Sequence, residues 1–308
     1  MKYSWLYLFI IVLSVSVSTG CSSGDDATPS DDTTQTDDTT GDDPTSAAAA
    51  SFTDVSYGDN PQQVYDIYLP EARSETKTKV IILVHGGGWI EGDKADMAEI
   101  LAQIRADFPD HAVVNMNYVL ANPAANLPAF PYQFLDVDRV IEQLTAQREE
   151  LMILPEFGLL GTSAGAHISL MYDYVYDDDD QVKFVADIVG PTDFTDPFYA
   201  DDPNFSLLLQ LLVDASQYPS GADLAQATSP VYQVSASASP TIMFYGDADP
   251  LVPLTNGNTL DARLSDAMID HSYTVYEGGH GDDWSPESYV DLQVKLRAFI
   301  SNYLPVNR

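Results

Sequence analysis

The chain has 308 residues, 45% of them hydrophobic, enough to bury a sizeable core and to exclude a wholly disordered protein. Against 13 Lys and Arg stand 47 Asp and Glu, a formal net charge of −34, so a phosphate backbone is repelled and nucleic-acid binding is the first function to fall. One cysteine, Cys21, and five histidines without zinc spacing exclude a disulfide scaffold and a structural zinc domain, and neither metal nor cofactor is expected.

Lys2 precedes a 12-residue apolar run, Leu6 to Val17, which suits a signal-peptide core and falls short of the roughly 18 residues a membrane span needs. Ser18-Thr19-Gly20 before Cys21 resembles the lipobox of bacterial lipoproteins, with Ser18 where that family prefers Leu. The resemblance implies a signal peptide over 1–20, a lipidated Cys21, and a protein anchored in a bacterial cell envelope. Residues 21–50 carry eight Asp and no basic side chain, so they are expected to remain a disordered tether reaching roughly 30 Å or more.

From residue 51 to 308 the pattern is that of one folded domain. Asp54 to Tyr57 and Val64 to Tyr68 alternate as a hairpin of outer strands. Val80 to Val84 is a continuous apolar run ending in glycines, the form of a strand buried on both faces of a parallel sheet. Ala95 to Phe108 spaces Met97, Ile100, Leu101 and Ile104 along one helix face, and Ala112 to Tyr118 is the next strand. A helix over Phe134 to Leu151, a strand over Phe157 to Gly161 and a helix over Ala164 to Tyr174 follow. Val182 to Val189, Thr241 to Tyr245 and Ser272 to Tyr276 are strands, and Tyr289 to Tyr303 is a closing helix. Strand and helix in alternation predict a single α/β domain with a mostly parallel sheet. Pro191 to Val234 is too long for a simple connection and is expected to cap the site, with Phe205 to Val213 apolar enough to line an acyl pocket. Asp177 to Asp180 lacks the alternating ligand spacing of calcium loops and reads as a solvated turn.

The chemistry falls at strand ends. Gly161-Thr162-Ser163-Ala164-Gly165 runs from a buried strand straight into a helix, the context of a nucleophile elbow, with the Ala164 N–H placed to bind an oxyanion. His85-Gly86-Gly87-Gly88-Trp89 ends the first buried strand, and its glycines permit successive N–H groups to face one point, so Gly87 and Gly88 are the other oxyanion candidates. Trp89 is expected to touch substrate. Of the histidines, His111 and His271 open strands, His85 belongs to the glycine loop, and His167 lies one helical turn beyond Ser163. His280, in a glycine-flanked loop after the last strand, is the candidate base. The Gly246-to-Pro253 stretch offers two carboxylates, Asp247 and Asp249, to orient it.

With these motifs in nucleophile, acid, histidine order, the chain resembles the α/β-hydrolase superfamily across nearly all of its folded length. His85 to Trp89 with Glu91 to Lys94, Asn115 to Leu120, Gly161 to His167 and Asp249 to Pro253 look most like the BD-FAE group of carbohydrate and feruloyl esterases. That resemblance implies Asp249, before Pro-Leu-Val-Pro, as the acid, and hydrolysis of acetyl or feruloyl esters of plant polysaccharides. One departure is Val119, where the family commonly has Arg after Asn-Tyr. Kynurenine formamidases and lipase-like esterases share parts of the glycine loop and are the alternative hydrolases. A catalytically dead binding protein on the same fold is the alternative from outside enzymology.

Overall fold

The computed structural model describes residues 47–306. The expected signal peptide, Cys21 and most of the tether lie outside the described residues.

The strands are β1 (Ala50–Ser56), β2 (Val64–Leu69), β3 (Val80–Val84), β4 (Ala112–Met116), β5 (Phe157–Thr162), β6 (Val182–Ile188), β7 (Thr241–Gly246) and β8 (His271–Tyr276). The helices are α1 (Ala98–Asp107), α2 (Tyr132–Ala146), α3 (Arg148–Leu151), α4 (Ala164–Val175), α5 (Pro197–Ala200), α6 (Pro203–Leu212), α7 (Leu224–Ala227), α8 (Leu254–Asp266) and α9 (Pro286–Tyr303). The strands form one eight-stranded sheet in the order β1-β2-β4-β3-β5-β6-β7-β8. β1 and β2 are the antiparallel edge, β2 runs antiparallel to β4, and every pairing from β4 through β3 to β8 is parallel. This is an α/β-hydrolase fold.

Alternation along each strand divides the core in two. In β3, Val80, Ile82 and Val84 join a cluster containing Phe134 and Val137 of α2, Ile168 of α4 and Leu260 of α8. Ile81 and Leu83 join the opposite cluster, which holds Ile104 of α1 and Leu296 and Ile300 of α9. Helices therefore cover both faces, which is why β3 reads as an unbroken apolar run.

Two differences from the sequence-based expectation have local causes. The helix expected over Phe134 to Leu151 breaks between α2 and α3, with a left-handed Met152 (φ 53°) ending the second piece. α8 is not among the elements expected from the sequence, and Asn256, Gly257 and Asn258 near its start are weak helix formers. Asn256 is buried, with its side-chain oxygen accepting from the N–H groups of Thr192 (2.7 Å) and Asp193 (2.8 Å). A Cβ on Gly257 would come within 2.7 Å of the Tyr273 hydroxyl, so tertiary packing, not propensity, places this helix.

The long insertion folds as α5, α6 and α7 at the C-terminal edge of the sheet. The carbonyl of Leu212 accepts from the N–H groups of Ala129 (2.8 Å) and Phe130 (2.9 Å), and the Tyr199 hydroxyl donates to the Leu251 carbonyl (3.1 Å).

Candidate active site

Ser163 sits between β5 and α4 with φ 50° and ψ −119°, a left-handed backbone that a serine holds only under tertiary constraint. The constraint is visible on both sides. A Cβ on Gly161 would lie 2.4 Å from the Ala166 nitrogen, and one on Gly165 would lie 2.1 Å from the Val84 carbonyl oxygen. The two glycines thus let α4 press directly on β5 and β3, and the turn has no room to relax. The Ser163 N–H donates to the Ile188 carbonyl (2.8 Å), tying the elbow to β6.

His280 follows β8 in a loop fastened within itself and to the turn after β7. The Gly279 N–H donates to Asp283 Oδ1 (2.7 Å), the Ala248 N–H to the Gly278 carbonyl (2.9 Å), and the Trp284 indole to the Gly279 carbonyl (3.1 Å). The imidazole bridges two partners: Nε2 is 2.9 Å from Ser163 Oγ and Nδ1 is 2.6 Å from Asp249 Oδ2. Because a carboxylate only accepts, Nδ1 carries the proton and Nε2 accepts from the serine hydroxyl.

Of the two carboxylates after β7, the structure brings Asp249 to the histidine. Its side chain is wholly shielded from solvent, and its other oxygen accepts from the N–H groups of Leu251 (2.7 Å) and Val252 (2.9 Å). The carboxylate is thus oriented before any substrate arrives. Asp247 is exposed and accepts from the Gly278 N–H (3.0 Å), so it braces the histidine loop from outside.

The glycine loop lies against the elbow. A Cβ on Gly86 would sit 3.3 Å from Ser163 Cβ. Gly87, Gly88 and Trp89 then take φ values of 114°, 55° and 67°, three successive left-handed residues. The Gly87 carbonyl accepts from the N–H groups of Ile90 (3.2 Å) and Glu91 (3.0 Å), which closes the turn, while an added Cβ on Gly88 would meet nothing within 4 Å. The Ala164 N–H begins α4, where the first-turn amides have no intrahelical acceptor. His85 is fully buried and stacks on Tyr118 with centroids 4.3 Å apart, and the Tyr118 hydroxyl donates to the His85 carbonyl (3.0 Å). Beyond the loop, Asn117 accepts from the Lys94 N–H (2.6 Å) and donates to Asp93 (2.8 Å), while Lys94 Nζ reaches Asp66 (2.8 Å) and Asp54 (2.9 Å). Those contacts give a positional reason for the Glu91-to-Lys94 and Asn115-to-Leu120 motifs.

The Trp89 side chain, expected at the substrate, is packed inward. The left-handed backbone turns its side chain inward: it is 6% exposed, edge-on to Phe130 and Phe194 at 5.6 Å, and its indole N–H donates to His167 Nδ1 (3.2 Å). His167 Nε2 donates in turn to the Thr228 carbonyl (2.8 Å). Burial holds His167 neutral by pushing its pKa down to about 4. The glycine loop, the nucleophile helix and the insertion are thereby joined through two buried rings. In the sequence, the only signal for His167 is its spacing of one helical turn from Ser163.

A cleft of about 820 Å³ opens onto Ser163 and His280. Its walls come from α1, α9 and the histidine loop, and its floor from Ile188 and Val189. The apolar α6 does not line this cleft; Phe205 packs on Tyr199, with ring centroids 4.5 Å apart. Val189 is held in the floor by a buried turn. Asp187 Oδ1 accepts from the Gly190 N–H (2.7 Å), and the Tyr245 oxygen lies 2.6 Å from both Asp187 Oδ2 and the Gly190 carbonyl. Among the described residues, no group of three His, Cys, Asp or Glu side chains is placed to hold a metal ion. Asp177 instead accepts from the N–H groups of Gln181 (2.9 Å) and Val182 (2.8 Å).

Fold and site together define an α/β-hydrolase with Ser, His and Asp meeting at the C-terminal edge of its sheet. The chain belongs to the BD-FAE family, whose model matches residues 65–264. It is similar to two esterases of Mycobacterium tuberculosis. LipC is 24% identical over 74% of this chain and 59% of its own length. LipQ is 27% identical over 71% of this chain and 54% of its own. The chain thus spans between half and three-fifths of the length of these curated relatives. Its fold is similar to that of a truncated carbohydrate esterase from gut microbiota, with a TM-score of 0.65 and 21% identity over 84% of this chain and 98% of that one.

Proposed function

We propose that this protein is a serine carboxylic ester hydrolase acting on acetyl or feruloyl esters of plant polysaccharides. The observation that carries the reading is the unbroken line from Ser163 Oγ through His280 to the buried Asp249, with the glycine loop beside it. His280 Nε2 takes the serine proton as Oγ attacks the ester carbonyl, and the N–H groups of Gly87, Gly88 and Ala164 hold the oxyanion. Asp249 keeps the proton on Nδ1 and stabilises the imidazolium. His280 then protonates the departing alcohol, and water releases the acyl group by the same route. Family membership and the likeness to a carbohydrate esterase support the polysaccharide assignment.

The test is labelling with a fluorophosphonate probe read by mass spectrometry, followed by turnover of acetyl, feruloyl and formamide substrates. Modification at Ser163, absent in Ser163→Ala, and hydrolysis of acetyl or feruloyl esters are expected. An unlabelled Ser163 in folded protein means a binding protein on a hydrolase fold, and turnover confined to the formamide means a formamidase. The reading also includes anchoring through Cys21, supported by the lipobox resemblance. Cys21→Ser is expected to move the protein from the detergent to the aqueous phase, and a wild-type protein already in the aqueous phase removes the anchor.

A further inference from the structure

We infer that the cleft between α1 and α9 is the subsite for the alcohol half of the ester, and that it selects a neutral or cationic alcohol and rejects an anionic one. This rests on the esterase reading. Once the ester carbon is at Ser163 Oγ and its carbonyl oxygen faces the glycine loop, the alcohol oxygen must face His280 Nε2 to receive its proton. The cleft is lined by Ser163 and His280 themselves; Gly281, Asp282 and Trp284 in the same loop form its wall, and α9 adds Tyr289. Tyr289 is tied to the histidine loop by its hydroxyl, which donates to the Gly281 carbonyl (2.9 Å). Tyr289 is 36% exposed, whereas Trp284 is 4% exposed, so Tyr289 is the aromatic residue a ligand ring meets.

Charge decides the class of alcohol. Asp96, Glu99 and Asp282 line the cleft, all three are exposed, and none of the lining residues is Lys or Arg. Carboxylates are hydrogen-bond acceptors, so a hydroxyl-rich neutral sugar meets acceptors and an aromatic wall. A uronate or phosphorylated sugar meets three like charges. At about 8 Å in water each carboxylate changes the affinity for a unit charge by about twofold, in opposite directions for cation and anion. With partial screening by salt, the three together separate cationic from anionic alcohols by about tenfold or more.

The experiment uses three acetates that share the acyl half: phenyl acetate, its para-carboxylate and its para-trimethylammonium derivatives. Each kcat/KM is normalised to the ester's own hydroxide-catalysed rate. At low salt the wild type is expected to prefer the cationic over the anionic ester by about tenfold, and 1 M NaCl should shrink that ratio. Glu99→Gln with Asp282→Asn should bring it to within about threefold, whereas Asp178→Asn with Asp179→Asn, at the other end of β6, should leave it in place. A ratio unchanged in the Glu99/Asp282 variant, or altered equally by the distant pair, overturns the cleft assignment while turnover of phenyl acetate keeps the esterase reading. No turnover of any acetate, with Ser163 unlabelled by the fluorophosphonate, overturns both.

Discussion

Tyr245 has one hydroxyl proton and two acceptors at 2.6 Å, Asp187 Oδ2 and the Gly190 carbonyl. With an ionised Asp187 the single proton is shared between the two acceptors; with a protonated Asp187 each contact has its own proton, Asp187 donating to the Tyr245 oxygen while Tyr245 donates to Gly190. Burial favours the latter: Asp187 is fully buried, and its pKa is raised to about 7. An acid held above its unfolded value of 3.8 is protonated in both states at low pH and lowers stability as pH rises toward 7. From 3.8 to about 7, the loss is about 4 kcal/mol, complete above pH 7. Asp187→Asn places an amide N–H where the carboxyl O–H lies and removes the titration. The variant should match the wild type within about 1 kcal/mol at pH 4 and exceed it by about 2–4 kcal/mol at pH 8. Chemical denaturation of the folded domain at several pH values measures this difference directly. Asp173, also raised to about 7, leaves a falling arm in both curves, so the informative quantity is the gap between them. A variant less stable than the wild type at pH 8, or a gap independent of pH, would refute the protonated carboxyl.

Three further substitutions probe the site. Asp249→Asn should lower kcat by about 10⁴ by disturbing the histidine tautomer. Asp247→Asn, which touches only the Gly278 N–H, should cost no more than about tenfold, and the reverse ranking in steady-state kinetics would reassign the acid. Trp89→Phe keeps most of the aromatic packing but leaves His167 Nδ1 buried without its donor, a loss of about 1–3 kcal/mol in urea denaturation. It should also lower kcat more than it raises KM, because the residue grips the glycine loop; unchanged stability and kcat would count against that linkage.

Much of this architecture was legible because its signals are local. The apolar runs of β3 and β5, the glycine loop and the elbow each occupy a few adjacent residues; Ser163 follows from its glycine-flanked turn between strand and helix, and His280 from a glycine-flanked loop after the last strand. The acid was harder. Asp247 and Asp249 are two apart in one turn; only the family resemblance singles out Asp249 in the sequence, and in the structure its 2.6 Å contact with His280 Nδ1, its burial and its two backbone donors separate it from Asp247. The inward turn of Trp89 depends on a left-handed φ that the letters Gly-Gly-Trp do not announce. The cleft was invisible for a different reason: α1 and α9 are separated by most of the domain, and no pattern within either states that they will flank Ser163. The apolar α6 draws attention to the insertion instead, yet packing explains only part of its composition: Leu209 and Leu212 are buried, whereas Leu207 and Leu211 are exposed.

The wall supplied by α9 has a consequence for biosynthesis. A chain grown only to Tyr276 holds every strand, the Ser163 elbow and the glycine loop in its sequence, but it lacks His280 and also Leu296 and Ile300, which pack with Ile81 and Leu83 in the core on one face of the sheet. The segment that brings the base is thus the one that completes that core, so on the esterase reading the last step of folding and the arrival of the base are one event.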